Sequence, residues 1–285
     1  YGYNIAIGYA AGKEITTGNL NILIGSLAGD ALTEGDHNTA VGHAALSSET
    51  LGDRNVAIGS NALNAQNNTS NVDAYNTAVG YSAGSVVSTG VRNTIVGGLA
   101  GDALTTGARN TALGYAALSS EDTGGKAIAI GYGALFSQNY DGDSYNVAVG
   151  YDAGTNVTTG INNTIVGGLA GDALTEGTGN TLLGNRAGGA LTTGTYNVAV
   201  GMQALNSETA NGGNVAIGYL ALGTLNAGAD AYNTAVGNKA GNVLSTGTHN
   251  NLIGGFAGDN LTTGSSNVAI GFNALGAEDT GSRSV

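Results

Sequence analysis

Three histidines, His37, His43 and His249, are the chain's only imidazoles. None has a partner at a spacing that makes a metal site or a nucleophile and base pair, so they read as solvated surface residues. Carboxylates recur more regularly. Glu49, after Ser48, and the pairs Glu121-Asp122 and Glu278-Asp279 fall in corresponding places. Two facing carboxylates can hydrolyse a glycoside, but these copies lie far apart in sequence, and an enzyme would need groups from neighbouring chains. The simpler expectation is solubilising charge. Asp30, Asp102, Asp172 and Asp259 also share one repeat position. In a threefold assembly each would meet two symmetry copies and could hold Ca²⁺; as single residues they read as turn formers. Tyr9, Tyr81, Tyr115, Tyr132, Tyr151 and Tyr219 share another position, and an aromatic face with a hydroxyl suits a sugar ring. They are candidates for glycan stacking, with packing along the protein surface as the alternative. No set converges as catalysis requires, so the expectation is a non-enzyme with no cofactor.

The scaffold under these residues is unusual in composition. Of 285 residues 51 are Gly, while Pro, Cys and Trp are absent and Phe occurs three times, which argues against a core of large side chains. Disorder is excluded by 41% hydrophobic and only 10% charged residues. The formal charge is −12, and the eight Lys and Arg are scattered singly along the sequence, so no basic stripe to follow a nucleic acid is expected. The apolar runs are too short to span a bilayer, so neither a membrane segment nor a signal peptide is expected within these residues. The absence of cysteine excludes a disulfide framework but suits a secreted protein stabilised by repetition.

Internal periodicity accounts for the composition. The pattern Asn-x-Ala/Ile/Leu-aliphatic-Gly-x-x-Ala begins at residues 4, 21, 38, 55, 76, 93, 110, 127, 146, 163, 180, 197, 214, 233, 250 and 267. Most intervals are 17 residues; extra residues fall before Asn76, Asn146 and Asn233. Position 1 is Asn in every copy but one, Ala127; position 5 is always Gly, position 8 always Ala and position 4 always Val, Ile or Leu. Position 15 is usually Gly, often within Thr-Thr-Gly, as at Thr105-Thr106-Gly107. Each rung reads as a short strand, a Gly turn, a second extended piece around the Ala, and a Thr-Gly corner. The fold predicted is all-β: a parallel β-solenoid of sixteen rungs, about 75 Å long at ~4.8 Å per strand.

The structural residues are then Asn76, Gly80 and Ala83, Asn93, Gly97 and Ala100, and Asn110, Gly114 and Ala117. Gly and Ala are required where two sides of a narrow coil approach, and stacked Asn amides pair along the axis. Positions 3 and 4, such as Ala78-Val79, are both apolar although they face opposite sides of a strand. A thin coil has one inside, so the second face calls for a partner chain. Position 9 alternates Gly, Gly, Leu, Leu through most of the chain, beginning Gly12, Gly29, Leu46, Leu63, which marks a four-rung duplicated unit.

The phrases Asn55-Val56-Ala57-Ile58-Gly59, Asn214-Val215-Ala216-Ile217-Gly218 and Asn267-Val268-Ala269-Ile270-Gly271 resemble the head repeats of YadA-like trimeric autotransporter adhesins, and also repeats in bacteriophage tail-fibre shafts. The resemblance spans the chain, though these rungs are longer than those of the adhesin heads. It implies a homotrimeric β-roll, part of a longer fibre outside the cell or on a virion, and attachment to a host or matrix glycan or protein. Nucleic-acid binding and membrane insertion are not expected. Alternatives are an ice-binding solenoid, whose candidate Thr row at position 14 (Thr17, Thr89, Thr106, Thr123) is broken by Glu34, Leu51, Asn68 and Tyr140; a self-assembling filament; and a polysaccharide-degrading tailspike.

Overall fold

A computed structural model describes residues 2–285. They hold sixteen three-residue strands, from Ile5–Ile7 to Val268–Ile270, in one parallel order, and no helix is found among the described residues. Each strand occupies positions 2 to 4 of one repeat, so the chain is the β-solenoid its periodicity predicts. It divides into two compact units, Tyr1–Tyr145 and Asn146–Val285, with eight strands each. Within a unit, successive rungs pair position on position: Thr77 with Thr94, Ala78 with Ile95, Val79 with Val96. The 21-residue rung obeys the same register, Val56 with Thr77. Its extra residues therefore bulge from the corner and leave the sheet undisturbed.

The second extended piece expected around Ala83 is not a strand. Ser82 (φ 52°) and Gly84 (φ 57°) on either side of it are left-handed, and this curls the segment into a turn in which the Ala83 amide donates to the Gly80 carbonyl. The axial ladder continues regardless, because Gly84 N donates to Ala100 O in the next rung at 2.9 Å and Ser82 N to Ser60 O in the preceding one at 2.9 Å. Fixed hydrogen bonds of this kind hold non-glycine residues in a conformation that otherwise costs about 1–3 kcal/mol each.

The interior is filled from positions 3, 8, 9 and 12, and the four-rung period is a volume exchange between positions 3 and 9. Leu23, Ile95, Ile165, Leu182 and Leu252 are large at position 3, and each fully buried. Position 9 is then Gly both in the same rung and in the rung before. A Cβ on Gly12 or on Gly29 would lie 2.8 Å from a Leu23 methyl, and one on Gly84 2.8 Å from Ile95. Where position 9 is instead Leu, as at Leu46, Leu118 and Leu135, position 3 is Ala. Position 5 needs Gly for another reason. Gly80 has φ 139°, and a Cβ there would meet Gly97 O at 2.5 Å; the crowding at this position is with the backbone of the next rung, not between the two sides of one coil as expected.

The asparagine ladder is more exact than amide stacking. In the rung of Asn93, the side-chain carbonyl accepts from the Asn110 amide at 2.9 Å, while its Nδ2 crosses the coil to the Gly107 carbonyl at 2.9 Å. In rungs of ordinary length each Asn thus ties neighbouring rungs together and joins the two walls of its own coil, and the Asn residues are all buried from Asn21 on. The exception is intelligible. Ala127 opens a rung whose corner carries extra residues, and in the equivalent rung Asn55 Nδ2 reaches only Asn38 Oδ1.

One expectation needs revision within the single chain. Position 3 is buried, but positions 2 and 4 point outwards and keep partial exposure; Ile58 and Leu113 remain about two-fifths accessible, at 38% and 42%. Both strand faces are apolar, and only one is covered.

Candidate functional site

Three features outside the aliphatic interior distinguish this coil from a uniform one. The first is its outward sheet face. In the unit Tyr1–Tyr145, positions 2 and 4 carry Ile5, Ile22, Thr39, Val56, Thr77, Thr94, Thr111 and Ile128 beside Ile7, Ile24, Val41, Ile58, Val79, Val96, Leu113 and Ile130. Not one is charged. At ~4.8 Å per rung and ~3.3 Å per residue, these columns make a strip roughly 35 Å by 7 Å.

The second is a set of buried glutamates at position 12. Glu49, Glu121 and Glu208 have no accessible surface, which overturns the reading of Glu49 and Glu121 as solubilising corner charge. The corner ladder explains them. In ordinary rungs the amides at positions 13 and 15 donate to the position-13 carbonyl of the next rung, as Ser88 N and Gly90 N do to Thr105 O. Each Glu precedes a rung with extra residues, where that carbonyl is displaced, and its carboxylate takes the carbonyl's place. Glu49 Oε1 accepts from the amides of Thr50, Leu51 and Gly52 at 3.0, 3.1 and 2.8 Å. Glu121 Oε1 accepts from Gly124 N at 2.8 Å. The other oxygen is met by a Gln one rung on, Gln66 for Glu49 at 3.1 Å and Gln138 for Glu121 at 3.0 Å. The third copy lacks this partner: Leu225 stands where the Gln would be, and Glu208 Oε2 is buried without a hydrogen bond. Burial raises the Glu121 pKa above the ordinary 4.5, against the lowering effect of bonds from Gln138, Gly124 and Tyr140.

The third is a column at the residue that closes each rung, just before position 1. In the first unit it reads Tyr3, Leu20, His37, Arg54, Tyr75, Arg92, Arg109, Lys126, Tyr145. Those from Leu20 onward are left-handed, and from His37 on each backbone amide, where a bond is formed, donates to the preceding rung, as Arg109 N does to Val91 O at 3.0 Å. Four of the chain's eight cations, scattered in sequence, therefore stand in one file. Arg54 pairs with Asp73 and lies over the Tyr75 ring at 5.8 Å. Lys126 pairs with Asp143 at 2.7 Å and lies over Tyr145 at 4.8 Å. Arg92 and Arg109 between them are exposed, and among the described residues neither is in an ion pair. The signal was in the sequence, since each of these cations immediately precedes a position-1 residue.

The remaining candidates stay apart. Asp30 pairs with Lys13 at 3.5 Å, Asp102 accepts from the Ser119 hydroxyl, and Asp259 Oδ1 has no partner. Burial raises the pKa of Asp172, which lies near Arg186. Position-10 Asp residues never occupy adjacent rungs, and no group of three His, Cys, Asp or Glu suited to a metal exists among the described residues. Tyr115 and Tyr132 stack on each other at 5.5 Å and 16°, while Gly98 separates Tyr81 from Tyr115. Tyr81, Tyr151 and Tyr219 are accessible to differing degrees. His37, His43 and His249 are exposed, and His249 lies 5.6 Å from the Tyr232 ring. In the position-14 row Asn68 turns inwards to donate to Glu49 at 2.8 Å. No helix is long and apolar enough to cross a membrane among the described residues. Comparison with protein-family models and with curated proteins gives no match.

Proposed function

We propose that the chain is a structural and adhesive segment of an extracellular fibre, of the trimeric-adhesin or tail-fibre kind, in which copies of the chain associate through the outward sheet face. The observation that carries this is the uncharged pair of columns at positions 2 and 4, repeated on every rung. An exposed β-branched strip of this kind is a site for association, and identical rungs in register make it self-complementary. Copies paired along it would hold whatever the fibre carries away from a bacterial cell or virion, and weak contacts repeated on several chains would add up through tethering.

Light scattering on the purified chain tests the reading. A trimer is expected, and Val79→Lys with Val96→Lys should give folded monomers, since both side chains already point outwards. A monomeric parent chain would refute it. The same flat, uncharged, evenly spaced face favours one second reading, an ice-binding surface, and a monomer with thermal hysteresis would establish that instead.

A further inference from the structure

The closing column invites a ligand at one place. Arg92 and Arg109 occupy consecutive rungs, ~4.8 Å apart, and stand free of ion pairs among the described residues. The other cations of the column are neutralised: Arg54, beyond Tyr75, is spent on Asp73, and Lys126 on Asp143. Position 16 beside the two free arginines is Val91 and Ala108, whereas next to Arg54 it is Asp53. Arg109 also lines a surface depression with Thr106, Thr123 and the loop Asp141, Gly142, Asp143. Of its two acids, Asp143 is engaged by Lys126, and Asp141 accepts from the Thr123 hydroxyl at 3.1 Å. The result is a file of cations one residue wide, running along the coil axis and edged by threonine hydroxyls.

We propose that Arg92 and Arg109, with Thr106, form a binding site for a linear acidic polysaccharide that carries a carboxylate on its sugars. This deepens the adhesive part of the function proposed above, and it does not require the chains to associate. A guanidinium meets a carboxylate through two parallel hydrogen bonds, and two of them in file select an extended polyanion over a compact one. Threonine hydroxyls suit sugar hydroxyls. A single-stranded nucleic acid fits less well, because it needs open aromatic faces for its bases. No aromatic residue closes a rung between Tyr75 and Tyr145, and each of those rings has a cation over it and its hydroxyl beside an Asp carboxylate. The chain's net charge of −12 also works against any partner that binds through charge alone.

The test uses the whole chain at low ionic strength with polygalacturonate as the probe, against amylose and oligothymidylate. Arg92→Asn with Arg109→Asn removes the charges at a left-handed position that Asn162 already occupies elsewhere in the column, so the fold is kept. Affinity for polygalacturonate should fall at least tenfold in this variant, and Asp141→Asn should raise it. Equal binding of amylose or oligothymidylate by the parent chain, an unchanged affinity in the double Asn variant, or weaker binding by Asp141→Asn would each overturn the assignment. Light scattering on the same samples reports association separately, so a parent chain that oligomerises but does not bind polygalacturonate rejects this site without rejecting the fibre, and a monomeric parent chain that binds it rejects the fibre without rejecting the site.

Discussion

Replacing Glu121 by leucine, the residue that most often fills position 12, should destabilise the fold although it removes a buried charge. The carboxylate accepts from Gly124 N at 2.8 Å, Tyr140 N at 3.3 Å and Gln138 Nε2 at 3.0 Å. Gln138 keeps a bond to Ser144 Oγ, but the two amides are stranded at about 1–3 kcal/mol each. Burying leucine returns about 1.5–3 kcal/mol, and the central values leave a net loss of about 2 kcal/mol. Glu121→Gln retains a carbonyl for Gly124 and lets Gln138 turn its own amide, and it strands only the Tyr140 amide, so at pH 7 it should cost less than Glu121→Leu. The two variants differ in pH dependence. The folded state raises the Glu121 pKa above 4.5, so it holds the proton more tightly than the unfolded chain does. The contribution of this group to stability is therefore present below pH 4.5 and is lost as pH rises through the folded value. Relative to the parent, Glu121→Gln should gain stability from pH 4 to pH 7. Repeat proteins do not unfold in one step, so urea unfolding should be paired with hydrogen exchange at Gly124 and Tyr140. Undiminished protection at both amides in Glu121→Leu, or a Glu121→Gln difference that does not move with pH, would refute the role assigned to the corner glutamates.

Other expectations rest on equally local geometry. Leu225→Gln places a donor beside the unpartnered Glu208 Oε2 and should cost about 1.5–3 kcal/mol less than Leu244→Gln at the same buried position, as measured by paired urea titrations. Gly80→Ala, at φ 139° and against the Gly97 carbonyl, should destabilise by well over 1 kcal/mol, whereas Gly98→Ala, 3.6 Å from the Tyr115 ring, should leave the melt unchanged. Ala100→Leu overpacks a fully buried site and should cost about 1–3 kcal/mol or prevent folding; normal expression and melting would contradict the narrow interior.

Periodicity sufficed for the architecture because the residues that repeat are those the backbone leaves no choice about. At Gly97 a larger group would strike the Gly114 backbone of the next rung, at Ala100 it would overfill the buried interior, and Asn93 bridges the two walls of its coil, so all three are legible from spacing. Glu121 was not, because its burial follows from what happens in the next rung: 19 residues instead of 17 displace a carbonyl, and a carboxylate replaces it. Its neighbour Asp122, one residue on, is partly exposed, so the pair looks uniform in sequence and is split by the structure. The cation file was hidden differently. Arg92 and Arg109 are isolated in sequence, and only stacking rungs in register makes them neighbours. The turn at Ala83 was misread as extended because Ser82 is not a residue that announces a left-handed backbone.

The exchange of volume between positions 3 and 9 also limits how such a chain can be spliced. A rung with a large position 3 needs glycine at position 9 in itself and in its predecessor, so two blocks join without collision only at matching phases. The extra rung of the second unit obeys this: Leu182 and Gly188 follow Ile165 and Gly171, a repeat of the same phase placed beside its like. Gene duplication could lengthen the protein at that joint one rung at a time. Copying a Leu-bearing rung such as 110–126 to stand before Ile95 would instead drive Leu118 and Ile95 into the same space, and such recombinants should be lost.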